Sequence, residues 1–356
     1  MKPTSPAGSA PFSQAGAPVG LPNLLVLATG GTIAGAAAAP EILSRYQAGS
    51  LGIGAMLEAV PQLRAHARMQ AEQLAQIDSK DMDFGLWEAL ARRVAEAMDD
   101  PALDGVLITH GTDTMEETAF FLGLAVDCRK PVVLCGAMRP ATALSADGPL
   151  NLLHAVRVAA DPGAAGRGPL IVMHQQAFAA AEALKFQSLS PDAFAAPLAG
   201  PVARVEDGGV RFLRPAGPAR APGPVAALRA RLAGLPPGAP WPWVELVASH
   251  AGASGGAAEA LLAAGVQGLV AVGTGAGTLH KALLAPLVAA TGLGLPVVRA
   301  SRVPLAAVER DAAEANGKLG FAAAGCLSPQ KARIVLLLAL RAGLKQADFQ
   351  ALLDVF

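Results

Sequence analysis

Tyrosine occurs once in this chain, at Tyr46, and cysteine three times, at Cys128, Cys135 and Cys326. So sparse and odd a cysteine set argues against a disulfide framework and suits a reducing compartment. Charged residues are only 16% of the 356, and 28 basic side chains balance 28 acidic ones. A net charge of zero gives no electrostatic case for a nucleic-acid partner or an anionic membrane surface, since excess cations would have to supply that affinity. The six histidines are scattered, and none joins cysteine or carboxylate at metal-ligand spacing. Hydrophobic residues reach 53%, but much of that share is alanine, and no run of about 20 apolar residues exists to span a bilayer. No internal repeat is evident. Residues 1–21, rich in Pro, Ala, Gly and Ser, lack a basic region followed by an unbroken apolar core. They read as a disordered tail rather than a secretory signal. These absences lead to the expectation of a cytoplasmic protein.

What is present is organised around Leu24–Gly35. A short, unbroken apolar run stops in Gly30-Gly31-Thr32. Such a run fits a strand buried on both faces of a parallel sheet. Glycines at its end let backbone N–H groups approach an anion or oxyanion without Cβ interference. Thr32 then lies beyond the strand's carboxyl end, where open α/β sheets bind ligands. A plain tight turn with a buried threonine explains the same residues. A dinucleotide site is a further reading, but Gly-Gly-Thr-Ile-Ala-Gly departs from G-x-G-x-x-G.

A second stretch repeats the pattern. Gly105–Thr109 reads as a strand and runs into His110-Gly111-Thr112-Asp113-Thr114-Met115-Glu116-Glu117. With these two stretches the chain resembles the bacterial L-asparaginase family, which includes glutaminase-asparaginases. Gly136-Ala137-Met138-Arg139-Pro140, Ser145–Pro149 and Leu327–Arg333 support the likeness. It runs from about Pro22 to the end and is weakest around residues 205–242.

The resemblance implies an α/β, two-domain asparaginase-like fold. A larger N-terminal domain with a mostly parallel sheet would be followed by a smaller C-terminal α/β domain. Domains are expected at 22–214 and 243–356, with 215–242, dominated by Pro, Gly, Ala and Arg, as the linker. Strands are expected at Pro131–Cys135, Pro169–Met173, Val244–Val247, Leu269–Val272 and Pro296–Arg299, and a hairpin around Asp207-Gly208-Gly209. Phe84, Trp87, Leu90, Val94 and Met98 recur at helical spacing and read as core. Ser328-Pro329 opens what reads as the last helix.

The implied activity is hydrolysis of L-asparagine to L-aspartate and ammonia by a threonine-dependent amidohydrolase without a cofactor or metal. Amides resist water, so the reaction needs a nucleophile or activated water, a proton route and oxyanion donors. The family pattern carries onto this chain as Thr32 for the primary nucleophile, beside Tyr46, with Thr112, Asp113 and Lys185 as a second constellation. Gly31, Ser79, Thr112, Asp113 and the Ala137 carbonyl would bind substrate, Ser79 at its α-carboxylate and Asp113 at its α-ammonium. From a neighbouring copy, Thr278 and Glu314 would stand where relatives use Asn and Glu. Whether Thr32 forms an acyl-enzyme or Thr112 activates water is open.

Each of these residues also has a plainer reading. Tyr46 is an exposed aromatic of the period-free loop 34–56, Ser79 a helix cap, and Lys185 a solvated surface cation. Thr114-Met115-Glu116-Glu117 is a capping-box pattern, which keeps both glutamates out of the chemistry. His110 is structural. Gly273–Thr278 has the look of a phosphate loop but lacks the Gly-Lys-Ser/Thr ending. Lys80 stands where relatives place Gln or Glu. Secreted relatives carry a disulfide at the position of Cys128, and no cysteine lies near Asp100 to pair with it. The family further implies a homo-oligomer, a tetramer built as a dimer of dimers. Three readings compete: a glutaminase-asparaginase, a non-catalytic amino-acid binder, and a nicotinamide-dependent oxidoreductase.

Overall fold

The computed structural model describes residues 20–43, 45–216, 223–236, 238–310 and 316–356. The expected tail therefore lies, up to residue 19, outside the described residues. The chain divides into two compact units, Met1–Ala219 and Arg220–Phe356.

In the first unit the strands are β1 (Asn23–Gly30), β2 (Ala36–Ala37), β3 (Tyr46–Gln47), β4 (Arg68–Ile77), β5 (Gly105–Thr109) and β6 (Val132–Cys135). They continue as β7 (Pro169–Met173), β8 (Gln176–Ala179), β9 (Leu184–Lys185), β10 (Phe194–Ala195), β11 (Ala203–Glu206) and β12 (Gly209–Phe212). The helices are α1 (Ile53–Glu58), α2 (Phe84–Asp99), α3 (Met115–Ala125) and α4 (Gly148–Ala160). Eight strands form one sheet in the order β12-β11-β8-β7-β6-β5-β1-β4. From β4 to β7 neighbours run parallel, and from β7 to β12 antiparallel.

β1 is buried from Leu24 onward, as its apolar run requires. Leu24, Val26 and Ala28 pack in one cluster with Met56 and Leu57 of α1 and Leu152, Ala155 and Val156 of α4. Leu25 and Leu27, of the opposite parity, are equally buried. Burying each such leucine contributes roughly 1.5–3 kcal/mol. Trp87 of α2 stacks on Phe121 of α3 at 4.6 Å and donates to the Thr118 hydroxyl at 3.0 Å.

The topology decides where a ligand site belongs. After β1 the chain leaves toward β4, and after β5 it leaves toward β6 on the other side. Connections that depart in opposite directions open a crevice between the carboxyl ends of two adjacent strands. The Gly-Thr corners follow β1 and β5.

The second unit holds α5 (Pro224–Ala233), β13 (Val244–Ala248), α6 (Gly256–Ala263), β14 (Gly268–Gly273) and α7 (Lys281–Gly292). It ends with β15 (Val297–Ser301), α8 (Asn316–Leu319), β16 (Phe321–Ala323), α9 (Pro329–Arg341) and α10 (Gln346–Leu353). Its four strands are all parallel, in the order β13-β14-β15-β16.

Two local expectations are corrected here. The stretch read as linker contains α5, whose Leu228 is fully buried, because Pro224 opens a helix and that helix packs against α9 and α10. The helix at Ser328-Pro329 is not the last, since α10 follows it and buries Phe349, Leu352 and Leu353. Among the described residues no helix is long and apolar enough to cross a membrane.

Candidate active site

The first corner is built by two glycines with positive φ, Gly30 at 109° and Gly31 at 81°. A Cβ on Gly30 would lie 2.5 Å from the Ile77 carbonyl oxygen, and one on Gly31 would lie 2.4 Å from the Gly111 Cα. The corner is thus pressed against β4 on one side and against the second Gly-Thr motif on the other. The Gly31 N–H donates to the Ile77 carbonyl at 2.8 Å. Gly31 therefore serves close approach, and its N–H is already spent.

Thr32 is buried and opens a single 3-10 turn, Thr32–Ala34. Its Oγ1 lies 2.6 Å from the Tyr46 hydroxyl. Tyr46 comes from β3, which pairs antiparallel with β2, Ala37 opposite Tyr46. Gly35 leaves room for the ring, because a Cβ there would lie 2.8 Å from Tyr46 Cδ2. The described residues of 34–56 therefore include a small strand pair and the start of α1, where the sequence shows no period.

The second corner is held more densely. Thr112 is buried, and Lys185 Nζ donates to Thr112 Oγ1 at 2.8 Å and to Asp113 Oδ1 at 2.5 Å. The Lys185 side chain is 16% exposed and that of Asp113 59%, so the pair has one face in the protein and one toward solvent. Lys185 lies on β9 opposite Phe194 of β10. Its backbone N–H donates to the Glu116 carboxylate. The expected capping box is corrected at this point: Thr114 makes no side-chain cap bond, and its hydroxyl donates to the Ser79 carbonyl at 2.7 Å. The Glu116 carboxylate is turned to Lys185.

Ser79 joins this corner from the β4 side. It is buried, and its Oγ accepts the Asp113 N–H at 3.2 Å. A Cβ on Gly111 would meet that oxygen at 2.5 Å. Thr29 Oγ1 donates to the Thr109 carbonyl at 3.0 Å and ties the two corners together just upstream. Lys80, next to Ser79, is exposed and paired with Asp78 at 2.7 Å and Asp81 at 3.2 Å.

His110 is fully buried, with Nδ1 2.7 Å from the Gly111 carbonyl oxygen and Nε2 unpartnered. Burial lowers its pKa from 6.5 to about 4, opposed by the backbone contact, so the ring is neutral at pH 7. The thiol of Cys135 is pushed up to about 12 by burial. None of Cys128, Cys135 and Cys326 is in a disulfide.

A third corner follows β6. A Cβ on Gly136 would lie 2.6 Å from the His110 carbonyl oxygen and 3.1 Å from Thr112 Cγ2. Ala137 is fully buried. The Asp147 carboxylate accepts the N–H groups of Met138 and Arg139, each at 3.0 Å. Asn151 Nδ2 reaches the Gly136 carbonyl and Asp147 Oδ2, each at 3.1 Å. Sequence reasoning missed Glu116, Asp147 and Asn151 as parts of the site. The only signal was that all three fall within or just after the family-like segments.

Thr32, Tyr46, Ser79, Thr112, Asp113 and Lys185 are therefore linked around one strand-end crevice, with Gly31 between the corners and Ala137 beside them. Thr278 belongs to the other unit. Its hydroxyl lies 2.9 Å from Thr274 Oγ1 in the turn after β14. Glu314 lies outside the described residues. Among the described residues no group of three or more His, Cys, Asp or Glu is placed to hold a metal ion.

Comparison with known proteins gives a consistent pattern. The family described as "Asparaginase, N-terminal" matches residues 23–217, and "Glutaminase/Asparaginase C-terminal domain" matches 243–353. L-asparaginase 2 of Escherichia coli (strain K12) is 42% identical over 330 residues, 91% of this chain and 90% of that protein. A probable periplasmic L-asparaginase of Haemophilus influenzae is 42% identical over 325 residues, 90% of this chain and 89% of its own length. The crystal structure of a probable cytoplasmic L-asparaginase from Campylobacter jejuni superposes with a TM-score of 0.85 at 38% identity, covering 94% of this chain and 100% of that one. The cytoplasmic expectation is overturned by this set. A periplasmic relative shares as much sequence with this chain as any of these, so cysteine usage and charge do not fix the compartment.

Proposed function

This chain belongs to the bacterial L-asparaginase family, and we propose that it hydrolyses L-asparagine to L-aspartate and ammonia through the hydroxyls of Thr32 and Thr112. The observation that carries the reading is the contact of Gly31 with Gly111, which sets the Thr32–Tyr46 pair beside the Thr112–Lys185–Asp113 cluster.

Thr32 Oγ1 attacks the side-chain amide carbon and passes its proton to the Tyr46 oxygen, 2.6 Å away, as the Tyr46 hydroxyl gives its own proton on toward the departing nitrogen. The C–N bond breaks, nitrogen takes a proton and leaves as ammonia, and water then cleaves the Thr32 ester. Lys185 governs the proton on Thr112, and Thr112 delivers or withdraws it at the reacting centre. The Ser79 hydroxyl binds the α-carboxylate and the Asp113 carboxylate the α-ammonium. The Ala137 carbonyl accepts an N–H of the amide. These roles fall in residues 22–214. The working form is a homo-oligomer, a tetramer of paired dimers. Zero net charge and the exposed Phe186, Leu189 and Leu198 around β9 and β10 support self-association.

Ammonia release from L-asparagine, L-glutamine and D-asparagine tests the activity, and light scattering tests the assembly. Thr32→Ala and Thr112→Val each lower kcat by about a thousandfold or more with an unchanged melting curve. Near-parent turnover in both variants rejects the assignment. Comparable turnover of glutamine moves the reading to a glutaminase-asparaginase, which the name of the C-terminal family domain and Lys80 at a position where relatives place Gln or Glu keep in view.

A further inference from the structure

Asn151 belongs to no part of the mechanism above, yet it is buried and all of its polar atoms are engaged. Its Nδ2 donates to the Gly136 carbonyl and to Asp147 Oδ2, each at 3.1 Å, and its Oδ1 accepts the His174 N–H at 3.0 Å. It sits one turn into α4, four residues after Asp147. The two side chains together grip the corner after β6. Asn151 fixes the peptide plane before Ala137 by its carbonyl, and Asp147 fixes the plane after Ala137 by the Met138 N–H.

The second grip sets a direction. In a trans peptide the C=O and N–H point to opposite sides of one plane, and the chain has no cis peptide bonds among the described residues. With the Met138 N–H held by Asp147, the Ala137 C=O must point away from Asp147 and the start of α4. The opposite end of Asn151 is anchored as firmly. His174 and Gln175 form the two-residue turn between β7 and β8, and both have positive φ, 46° and 64°. Such turns favour Asn and Gly, because a Cβ crowds the backbone there. This turn persists with His and Gln because its ends are tied, the His174 N–H to Asn151 and the Gln175 carbonyl to the Val205 N–H at 2.9 Å.

We infer that Asn151 is a positioning residue for amide specificity: through Gly136 and Asp147 it holds the Ala137 carbonyl where it accepts a hydrogen from the nitrogen of the scissile amide. The inference rests on the reading that Ala137 faces that nitrogen. In hydrolysis the carbonyl carbon gains OH from water, and the nitrogen gains the remaining hydrogen and departs as ammonia. A fixed acceptor orients the amide nitrogen and stabilises it as it gains that proton. An ester leaving group has no hydrogen to offer, so the same carbonyl contributes nothing to ester cleavage.

The test compares L-asparagine with the β-methyl ester of L-aspartate in the full-length protein. Asn151→Leu removes these bonds together with the weaker Nδ2 contact to Met173 Sδ at 3.7 Å, and Asn151→Ser, smaller and able to make one of them, decides the matter where the first variant does not fold. The expected result is a loss of about thirtyfold in kcat on the amide, the scale of one buried hydrogen-bond partner, with ester turnover changed less than threefold. An equal loss on both substrates shows that Asn151 merely supports the fold of the corner, and no loss on either shows that the carbonyl is positioned without it. Either result overturns the inference. The underlying mechanism is tested separately: if Thr32→Ala leaves cleavage of both substrates intact in the parent background, that mechanism fails whatever Asn151 does.

Discussion

β1 and β5 are parallel neighbours, and each ends in a Gly-Thr corner, but the two threonines are held by different means. Thr32 sits in one 3-10 turn and meets a single hydroxyl, carried on a strand of two residues. Thr112 stands just before an eleven-residue helix, α3, and receives Lys185 Nζ, which is itself fixed by Asp113 and, through its backbone, by Glu116. A hydroxyl on a short strand pair can follow a substrate as it enters and leaves. A side chain tied at both its head and its backbone cannot. The contrast fits a division of work in which the first corner makes and breaks the covalent bond and the second keeps a proton path in register.

Removing each threonine's partner sharpens that division and carries the largest expected effects. Lys185→Met lowers kcat on asparagine by about a thousandfold and changes the shape of its pH profile, because the charged partner of Thr112 is lost. Tyr46→Phe lowers kcat by about a hundredfold, in the range for removing one proton-transfer group, and leaves the profile's acid limb in place. Steady-state ammonia release across pH measures both. Were Lys185→Met to keep the parent profile, Lys185 would drop out of the proton route and the contrast between the corners would collapse.

The corners also differ in what acid does to them. His110 is fully buried behind the second corner, with a pKa lowered from 6.5 to about 4. Between those values the unfolded chain binds a proton that the folded chain refuses. Stability is therefore fully present above pH 6.5 and declines as pH falls toward 4. The loss over that window amounts to about 3 kcal/mol, from roughly 1.4 kcal/mol per pKa unit. His110→Asn keeps a donor near the Gly111 carbonyl and cannot titrate. Its unfolding free energy, from urea titrations at pH 7, 5.5 and 4, is expected to decline less than the parent's by that amount. Parallel declines would mean that the acid sensitivity arises elsewhere.

How far the sequence could be read follows from the same two corners. β1 and β5 announce themselves because strands buried on both faces are short unbroken apolar runs. β4 does not, since Arg68, Gln70, Glu72, Gln73 and Gln76 interrupt it, as its place at the sheet edge permits. β16 is three residues long, too short for any period to show. α5 was obscured by the Pro, Gly and Arg around it. The two Gly-Thr corners were legible because each leaves a local mark at a strand end, glycine before a hydroxyl. Glu116 and Asn151 were not, because their partners lie 69 and 15 residues away, and only the assembled sheet brings them together. Glu116 misled in particular, since a glutamate in the first turn of a helix satisfies a helix rule without needing any further role.

Glu116 also supplies the smallest and most discriminating test of the comparison. Its carboxylate accepts the Lys185 backbone N–H, so it holds the lysine by its backbone and brings a carboxylate to the strand that carries it. Glu116→Gln keeps an acceptor oxygen and removes the charge, and Glu116→Ala removes both. If Glu116 works by geometry, Glu116→Ala costs about tenfold in kcat, near the worth of one hydrogen bond to a charged group, and Glu116→Gln recovers most of it with the parent pH profile. If it works by charge, the two variants fall together, and both profiles shift in the direction of easier lysine deprotonation. The densely tied second corner predicts the geometric result. Equal losses with a shared pH shift would show instead that Lys185 is tuned electrostatically, and the difference between the two corners would then lie in charge rather than in how firmly each threonine is held.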